Sequence, residues 1–235
     1  MRIEPIQIVR ETENWVAIHK PPYVPSLPER GIFTAESVQD WGRRVWGDAI
    51  LCHRIDRETS GVLLMAKNTE AHRHFSMQFE HRQVKKVYHA LVNGRIDFQE
   101  FQVNLPINTE NPKKIRIDKQ WGKPALTEFN SLQTFKHFTL MECRPHTGRM
   151  HQIRVHLAAQ NASIAGDQLY GSPVPMLGRI KRKLSGEDRP LIDRFALHAR
   201  RLELTDLDGS PLVIEAEYPK DFAVFLKLLN RYDLG

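Results

Sequence analysis

The chain has 235 residues, 41% of them hydrophobic and 26% charged, which fits a soluble globular protein with a substantial core. Met1-Arg2-Ile3 runs at once into Glu4 and Pro5, so no signal-peptide core is present, and the apolar run Val62 to Ala66 is far too short to cross a bilayer. The two cysteines, Cys52 and Cys143, do not make a disulfide framework and read as reduced thiols of a cytoplasmic protein. The formal net charge of +6 points to a polyanionic partner. Residues 171–201 concentrate eight basic side chains (Arg179, Lys181, Arg182, Lys183, Arg189, Arg194, Arg200, Arg201) against Glu187, Asp188 and Asp193. Such clustering suits phosphate contacts, although a solvated loop would carry the same charges.

In chain order, the alternating segment Ile6 to Val9 and the run Trp15 to Ile18 predict strands. Pro21-Pro22 and Pro25 to Pro28 then force a loop. Gly61 to Ala66 predicts a buried strand, and Asn68 or Thr69 caps a helix whose apolar face is Ala71, Phe75 and Phe79. The alternation from Lys86 to Val92 predicts a strand. Leu126 to Phe135 and Phe138 to Cys143 read as a hairpin, and Met150, Ile153, Leu157 and Gln160 mark one face of a helix. Leu212 to Tyr218 is a further strand, and a closing helix packs Phe222, Phe225, Leu226 and Leu229. Strands come as neighbours rather than alternating with helices, which favours an α+β fold with a largely antiparallel sheet. There is no internal repeat, low-complexity tract or interdomain linker.

The densest polar segment is His53-Arg54-Ile55-Asp56-Arg57-Glu58-Thr59-Ser60-Gly61, set directly before the buried strand. Arg54 and Arg57 can keep the Asp56 carboxylate ionised, and Thr59, Ser60 and Gly61 can make the turn that aims it off the sheet. From the residues alone, a turn with a structural ion pair explains this segment as well as a catalytic carboxylate does.

His53 to Gly61 resembles the HRLDxxTSG pattern of the RluA-type pseudouridine synthases, and Leu63, Leu64, Ala66 and Lys67 continue it. Lys86 to Gly94 is similar to that family's KxYxAxVxG strand, and Thr147 to Leu157 to its TGRxHQIRxHL segment. Gly166 to Gly171 and Leu197-His198-Ala199 add further matches. His19-Lys20-Pro21-Pro22 resembles the family's KPxG, with Tyr23 where glycine is usual. Ile55 replaces the commoner leucine, and Ala165 stands where many relatives have a bulkier aliphatic residue. The resemblance implies the pseudouridine synthase catalytic fold: α+β, a bent, mostly antiparallel mixed sheet flanked by helices and loops. It implies one catalytic domain over residues 1–235, without the additional N-terminal RNA-binding module of many relatives.

The implied reaction breaks the bond from uracil N1 to ribose C1′ and rejoins the base through C5. It needs no redox partner and no donated group, so no cofactor is expected. By resemblance Asp56 is the catalytic aspartate, acting as nucleophile at C1′ or as base at C2′. Arg154 is its charged partner, suited by its planar fork. Tyr88 lies against the base and aids removal of the C5 proton, and Ile153 walls the uracil pocket. A uridine in folded RNA must be extruded first, and Arg54 is the candidate to fill the vacated space. Arg57, Arg149 and the 179–183 run are candidate phosphate contacts. The expected partner is ribosomal or transfer RNA, bound by a monomer, with no membrane and no nucleotide cofactor, since no Walker loop or GxGxxG occurs. No metal is expected: His72-x-His74 diverge on a helix, His151 and His156 are five apart, and neither HExxH nor CxxC appears. Cys52 reads as a buried thiol rather than a nucleophile. Two other readings fit the same residues less fully: a non-catalytic RNA-binding protein that keeps the fold, and a glycosidase that releases uracil.

Overall fold

The β-branched and aromatic runs become twelve strands among the described residues, with four α-helices set between and after them. A computed structural model of the chain describes residues 5–28, 36–112, 114–181, 183 and 186–234. In chain order these are β1 (Gln7–Glu11), β2 (Trp15–Lys20), α1 (Val38–Trp46), β3 (Ile50–Leu51), β4 (Ser60–Ala66), α2 (Thr69–Glu80) and β5 (Lys85–Asn93). There follow β6 (Phe101–Asn104), β7 (Ile107–Asn108), β8 (Arg116–Ile117), β9 (Leu126–Thr134), β10 (Phe138–Pro145) and α3 (Gln152–Ala159). The last are β11 (Leu197–Thr205), β12 (Pro211–Glu215) and α4 (Lys220–Tyr232). The chain forms two compact units, the first from Met1–Lys86 with His198–Pro219 and the second from Val87–Leu197 with Lys220–Gly235.

In the first unit β2 pairs antiparallel with β1 and with β4, while β11 runs parallel to β4 and antiparallel to β12. The sheet is therefore mixed, as an α+β fold allows. Every residue of β4 is buried, which explains its continuous apolar sequence. One face of the sheet joins Trp15, Val62, Leu64, Phe75, Leu202 and Ile214 in a core. The Asn68 side chain caps α2 by accepting from the Ala71 amide at 2.9 Å, so that Ala71 and Phe75 reach this core. Helix α1 was not expected from periodicity, because its apolar residues do not form one buried stripe: Val38 is buried while Val45 is exposed. Its local signal is the Ser37 and Asp40 capping box, and its Gly42 lies against the Met65 side chain.

In the second unit β5, β10, β9 and β6 form consecutive antiparallel pairs, with Tyr88 opposite Cys143 and a register shift between Leu140 and Met141. Helix α4 buries Phe222, Phe225 and Leu229, and Phe225 meets Phe138 edge to face at 5.2 Å. Arg194 grips Asp221 in the first turn of α4 through two bonds of 2.7 and 3.0 Å.

Several boundaries differ from expectation. Gln152 to Leu157 are all buried, so α3 is not amphipathic, and Met150 and Gln160 fall outside it. The strand expected to reach Tyr218 leaves its ladder at Glu215, ahead of Pro219, which has no N–H to donate. The segment around Leu197-His198-Ala199 is the start of a strand, β11.

Gly61 opens β4 with φ +118°, and an added Cβ would stand 2.1 Å from the carbonyl oxygen of Ala199. No other residue type fits this crossing of two backbones. Gly61→Ala is expected to destabilise the fold by about 3 kcal/mol or more. Denaturant unfolding checks this, and an unchanged midpoint would contradict the packing of β11 on β4.

Candidate active site

In the first unit, Arg54, Asp56 and Arg57 share one loop between β3 and β4. Asp56 is half-buried, with exposed arginines on either side. The Asp56 carbonyl accepts from the Thr59 amide at 3.1 Å, closing the turn that leads into β4. The backbone of Ile55 and Arg57, the residues on either side of Asp56, is held from the end of β2 and the proline-rich loop. The Ser26 hydroxyl donates to the Ile55 carbonyl at 2.7 Å and accepts from the Ile55 amide at 3.3 Å. The Lys20 ammonium, fully buried, donates to the carbonyls of Pro21, Val24 and Arg57 at 3.0, 2.8 and 2.8 Å. Tyr23 donates its amide to the Arg57 carbonyl at 2.9 Å, and its own carbonyl accepts from Arg57 Nε at 3.1 Å. These bonds hold Tyr23 at φ 69°, the left-handed conformation. The glycine usual at this place in the resembling pattern therefore has a backbone reason, and tyrosine occupies it at a strain of ~1–3 kcal/mol.

Two histidines of the matching motifs are structural. The Leu64 amide donates to His53 Nε2 at 3.2 Å, and the His53 ring stacks on Phe79 at 4.4 Å. An accepting Nε2 requires an uncharged ring. Burial, reinforced by the charge of Lys86, lowers the His53 pKa to about 3. Lys86 is itself lowered to about 8 by burial and by Arg82. His198 joins Ser60 Oγ through Nδ1 at 3.0 Å and the Ala216 carbonyl through Nε2 at 3.1 Å.

The second unit carries Tyr88, Arg149, Ile153 and Arg154. Tyr88 is half-buried on β5, and Ile153 is buried on α3. Arg154 is also buried, and its Nε and NH2 donate to the two carboxylate oxygens of Asp167 at 2.7 and 2.8 Å. Its guanidinium lies over the Phe195 ring at 4.1 Å and the Tyr170 ring at 5.0 Å. Asp167 lies in a matching motif but was given no role from sequence. Pairing it with Arg154 requires a contact that no spacing encodes. It is fixed by its neighbours: an added Cβ on Gly166 would stand 2.3 Å from the Arg194 carbonyl, and Ala165 exchanges backbone bonds with Leu91 and Ala196.

Helix α3 is seated by a buried polar network. Gln152 Nε2 donates to the Leu126 carbonyl and to Thr127 Oγ1, and Gln152 Oε1 accepts from Thr147 Oγ1 at 2.6 Å and from the Arg149 amide at 3.0 Å. His156 bridges Thr127 Oγ1 and the Leu105 carbonyl, both at 2.9 Å, and burial lowers its pKa. Arg149 Nε donates to the Pro124 carbonyl at 3.2 Å.

The basic run is more structural than its composition implied. Arg194, Arg200 and Arg201 are ion-paired with Asp221, Glu215 and Glu203. Arg179 donates to Asn93 at 2.8 Å and lies over Phe138. Arg182 lies outside the described residues. Burial pushes the Cys52 thiol up to about 12, so it is no nucleophile at neutral pH, and it raises Cys143 as well. Among the described residues no three His, Cys, Asp or Glu side chains converge as a metal site, and no helix is long and apolar enough to cross a membrane.

The first unit thus carries a braced aspartate flanked by arginines, and the second carries, on α3, a buried arginine paired with a carboxylate. Residues 14–159 match the family described as RNA pseudouridylate synthase, and the chain belongs to that family, in its RluA type: enzymes that isomerise uridine in RNA. It is 30% identical over 249 residues to a ribosomal large subunit pseudouridine synthase D of Borreliella burgdorferi, covering 97% of this chain and 70% of that protein. It spans about half the length of three relatives named alike from Neisseria meningitidis and Nitrosomonas europaea. It is 32% identical to the dual-specificity RNA pseudouridine synthase RluA of Pasteurella multocida, over 84% of this chain and 85% of that one. The fold is similar to that of human RNA pseudouridylate synthase domain containing 4, with a TM-score of 0.75 over 95% of this chain and 93% of that one, at 24% identity.

Lys20→Met removes three charge-assisted bonds from the loop of Asp56. We expect a loss of about 3 kcal/mol in stability and a larger fall in single-turnover rate than in RNA affinity. Equal falls in rate and affinity would deny Lys20 a positioning role.

His53 must stay uncharged in the folded protein, and its folded pKa of about 3 lies below the ordinary value of 6.5. Its contribution to stability is therefore complete above pH 6.5 and declines on acidification by up to ~1.4 kcal/mol per pH unit until about pH 3. Urea unfolding from pH 7 to pH 4 is expected to show a shallower pH dependence in His53→Gln than in wild type. Parallel curves would remove His53 from the acid response.

Proposed function

We propose that this chain isomerises uridines of ribosomal RNA to pseudouridine, with Asp56 as the catalytic carboxylate. The observation that carries this reading is the bracing of the backbone of the residues on either side of Asp56, Ile55 by Ser26 and Arg57 by Lys20 and Tyr23. A surface aspartate in a simple ion pair needs no such backbone fixation, whereas a reacting carboxylate must be held to within a fraction of an ångström. The ribosomal choice is supported by the names of the Borreliella, Neisseria and Nitrosomonas relatives.

In the reaction the bond from N1 to C1′ breaks and the base turns. C5 then bonds to C1′, the C5 proton leaves, and N1 ends protonated. Atoms and charge balance within the nucleotide and water, so no cofactor is called for. Asp56 either attacks C1′ and is later displaced, or takes and returns the C2′ proton; an ionised carboxylate serves both. Arg154 keeps the role the resemblance gives it, the cation serving that carboxylate. Asp167 then acts as a positioning residue, orienting the guanidinium through two bonds.

Tyr88 is assigned to the target base and to removal of the C5 proton, and Ile153 to the apolar wall beside the uracil. Arg54 fills the place of the extruded uridine, while Arg57 and Arg149 contact phosphate. We read residues 1–235 as one catalytic domain acting as a monomer in the cytoplasm. Both cysteines are buried thiols, which suits a reducing compartment.

The test is tritium release from ribosomal and transfer RNA transcripts labelled at uridine C5. Wild type is expected to release tritium from ribosomal transcripts. Asp56→Asn is expected to release none while binding RNA within a few fold of wild type. Full turnover by Asp56→Asn would overturn the catalytic assignment. Binding without release by wild type would favour an RNA-binding protein that keeps the fold.

A further inference from the structure

Trp121 is the most exposed large hydrophobic side chain among the described residues, at 70% of its surface, whereas Trp15 is buried. An indole left in water forgoes the burial that usually justifies tryptophan, so its display calls for a reason. The turn that carries it is built with care. The Asp118 carboxylate accepts from the amides of Gln120 and Trp121 at 3.1 and 3.0 Å, and from the Asn108 side chain at 3.0 Å. The Gly122 amide donates to the Asp118 carbonyl at 2.9 Å. An added Cβ on Gly122 would meet that same oxygen at 2.3 Å and the Pro106 carbonyl carbon at 2.7 Å. Lys123 and Ile107 exchange backbone bonds of 2.9 and 3.0 Å, closing the base of the turn.

The turn is also tied to the helix that carries Arg154. Ile107, Ile115 and Ala125 pack with Val155 of α3, joined by Met150 and Tyr170. The Tyr170 hydroxyl donates to the Ile115 carbonyl at 3.4 Å and meets His151 Nδ1 at 2.9 Å. Around the indole, residues 114–125 hold Lys114, Arg116, Lys119 and Lys123, all exposed, against Asp118 alone. The Asp118 charge is engaged by the turn and by Arg116 at 3.3 Å.

We propose that Trp121 is a stacking platform for an unpaired base of the substrate RNA, apart from the residues assigned to the target uridine, with Lys114, Lys119 and Lys123 holding flanking phosphates. A flat aromatic face among lysines matches a polyanion with exposed bases, which is single-stranded or looped RNA. An apolar or acidic protein partner would match only half of this surface. The proposal rests on the reading of this chain as an enzyme acting on RNA, and it adds a contact that would help choose among RNA sites.

The test measures the equilibrium affinity of wild type, Trp121→Ala, Trp121→Phe and Trp121→Leu for a looped ribosomal transcript, at two salt concentrations. Stacking predicts that Trp121→Ala and Trp121→Leu bind roughly ten-fold more weakly, that Trp121→Phe recovers most of the loss, and that none changes the salt dependence. The double variant Lys119→Ala, Lys123→Ala is expected to weaken binding and to flatten the salt slope by about two. The indole is exposed, so these changes leave the core intact, and thermal unfolding confirms it. Wild-type affinity in Trp121→Ala, or equal affinities for Phe and Leu, would overturn the proposal and leave a protein partner as the reason for the display. Tritium release by the wild type is scored separately. A failure of the isomerase reading is thus distinguishable, and the affinity ratios decide the stacking role in either case.

Discussion

The Lys20 ammonium lies wholly out of solvent and directs its N–H groups at the carbonyls of Pro21, Val24 and Arg57. A buried cation without acceptors would cost several kcal/mol, so the loop and the ammonium must settle together. Two of its acceptors belong to the proline-rich loop, and the third follows Asp56 directly. Prolines at 21, 22 and 25 reduce the freedom that this loop loses on folding. Ser26 then holds the residue before Asp56, and the Tyr23 backbone holds the residue after it. Asp56 stays half-buried while the backbone of the residues beside it is held as core backbone is. Strand β4 carries this order onward, because Gly61 lets it run against β11 without a side chain between them.

The second unit solves a similar problem by different means. Arg154 must be buried and remain charged, and Asp167 meets its guanidinium through two parallel bonds. Phe195 and Tyr170 cover the planar faces, so the cation is satisfied both in the plane and above it. The helix beneath it cannot rotate freely, since Gln152 and His156 on its other sides are bound to Thr127, Thr147 and backbone carbonyls. Such networks hold one orientation only when every member is satisfied. The conspicuously polar Thr147 to Leu157 segment is thus largely the seating of a single arginine.

Much of the frame was legible because it is written in contiguous residues. The apolar run of β4, the Asn68 cap with Ala71 and Phe75, and the hairpin of β9 and β10 follow from local pattern. Helix α1 was not legible from periodicity, since Val45 faces solvent while Gln39 and Gly42 are buried, and its local mark is the capping box. In α3 the apolar stripe misled, because polar residues there are buried by long-range hydrogen bonds. The motif residues could be picked out by resemblance, but not their supports. Ser26 lies 29 residues from Ile55, and Lys20 lies 37 from Arg57. No spacing rule connects such pairs, and the left-handed Tyr23 shows only afterwards why glycine is usual at its place.

Charge shows the same division between composition and place. The net charge of +6 and the dense run from 171 to 201 suggest one basic surface. Yet Arg194, Arg200 and Arg201 neutralise carboxylates of their own units, and Arg179 is occupied by Asn93 and Phe138. A guanidinium already held by a carboxylate releases no counterion when RNA arrives, so it adds little to salt-dependent affinity. The shorter stretch around Trp121 has fewer cations, but its three lysines, Lys114, Lys119 and Lys123, are exposed and stand beside an aromatic face on a rigid turn. For a polyanion with unpaired bases, that combination outweighs a larger count of cations already engaged within the protein.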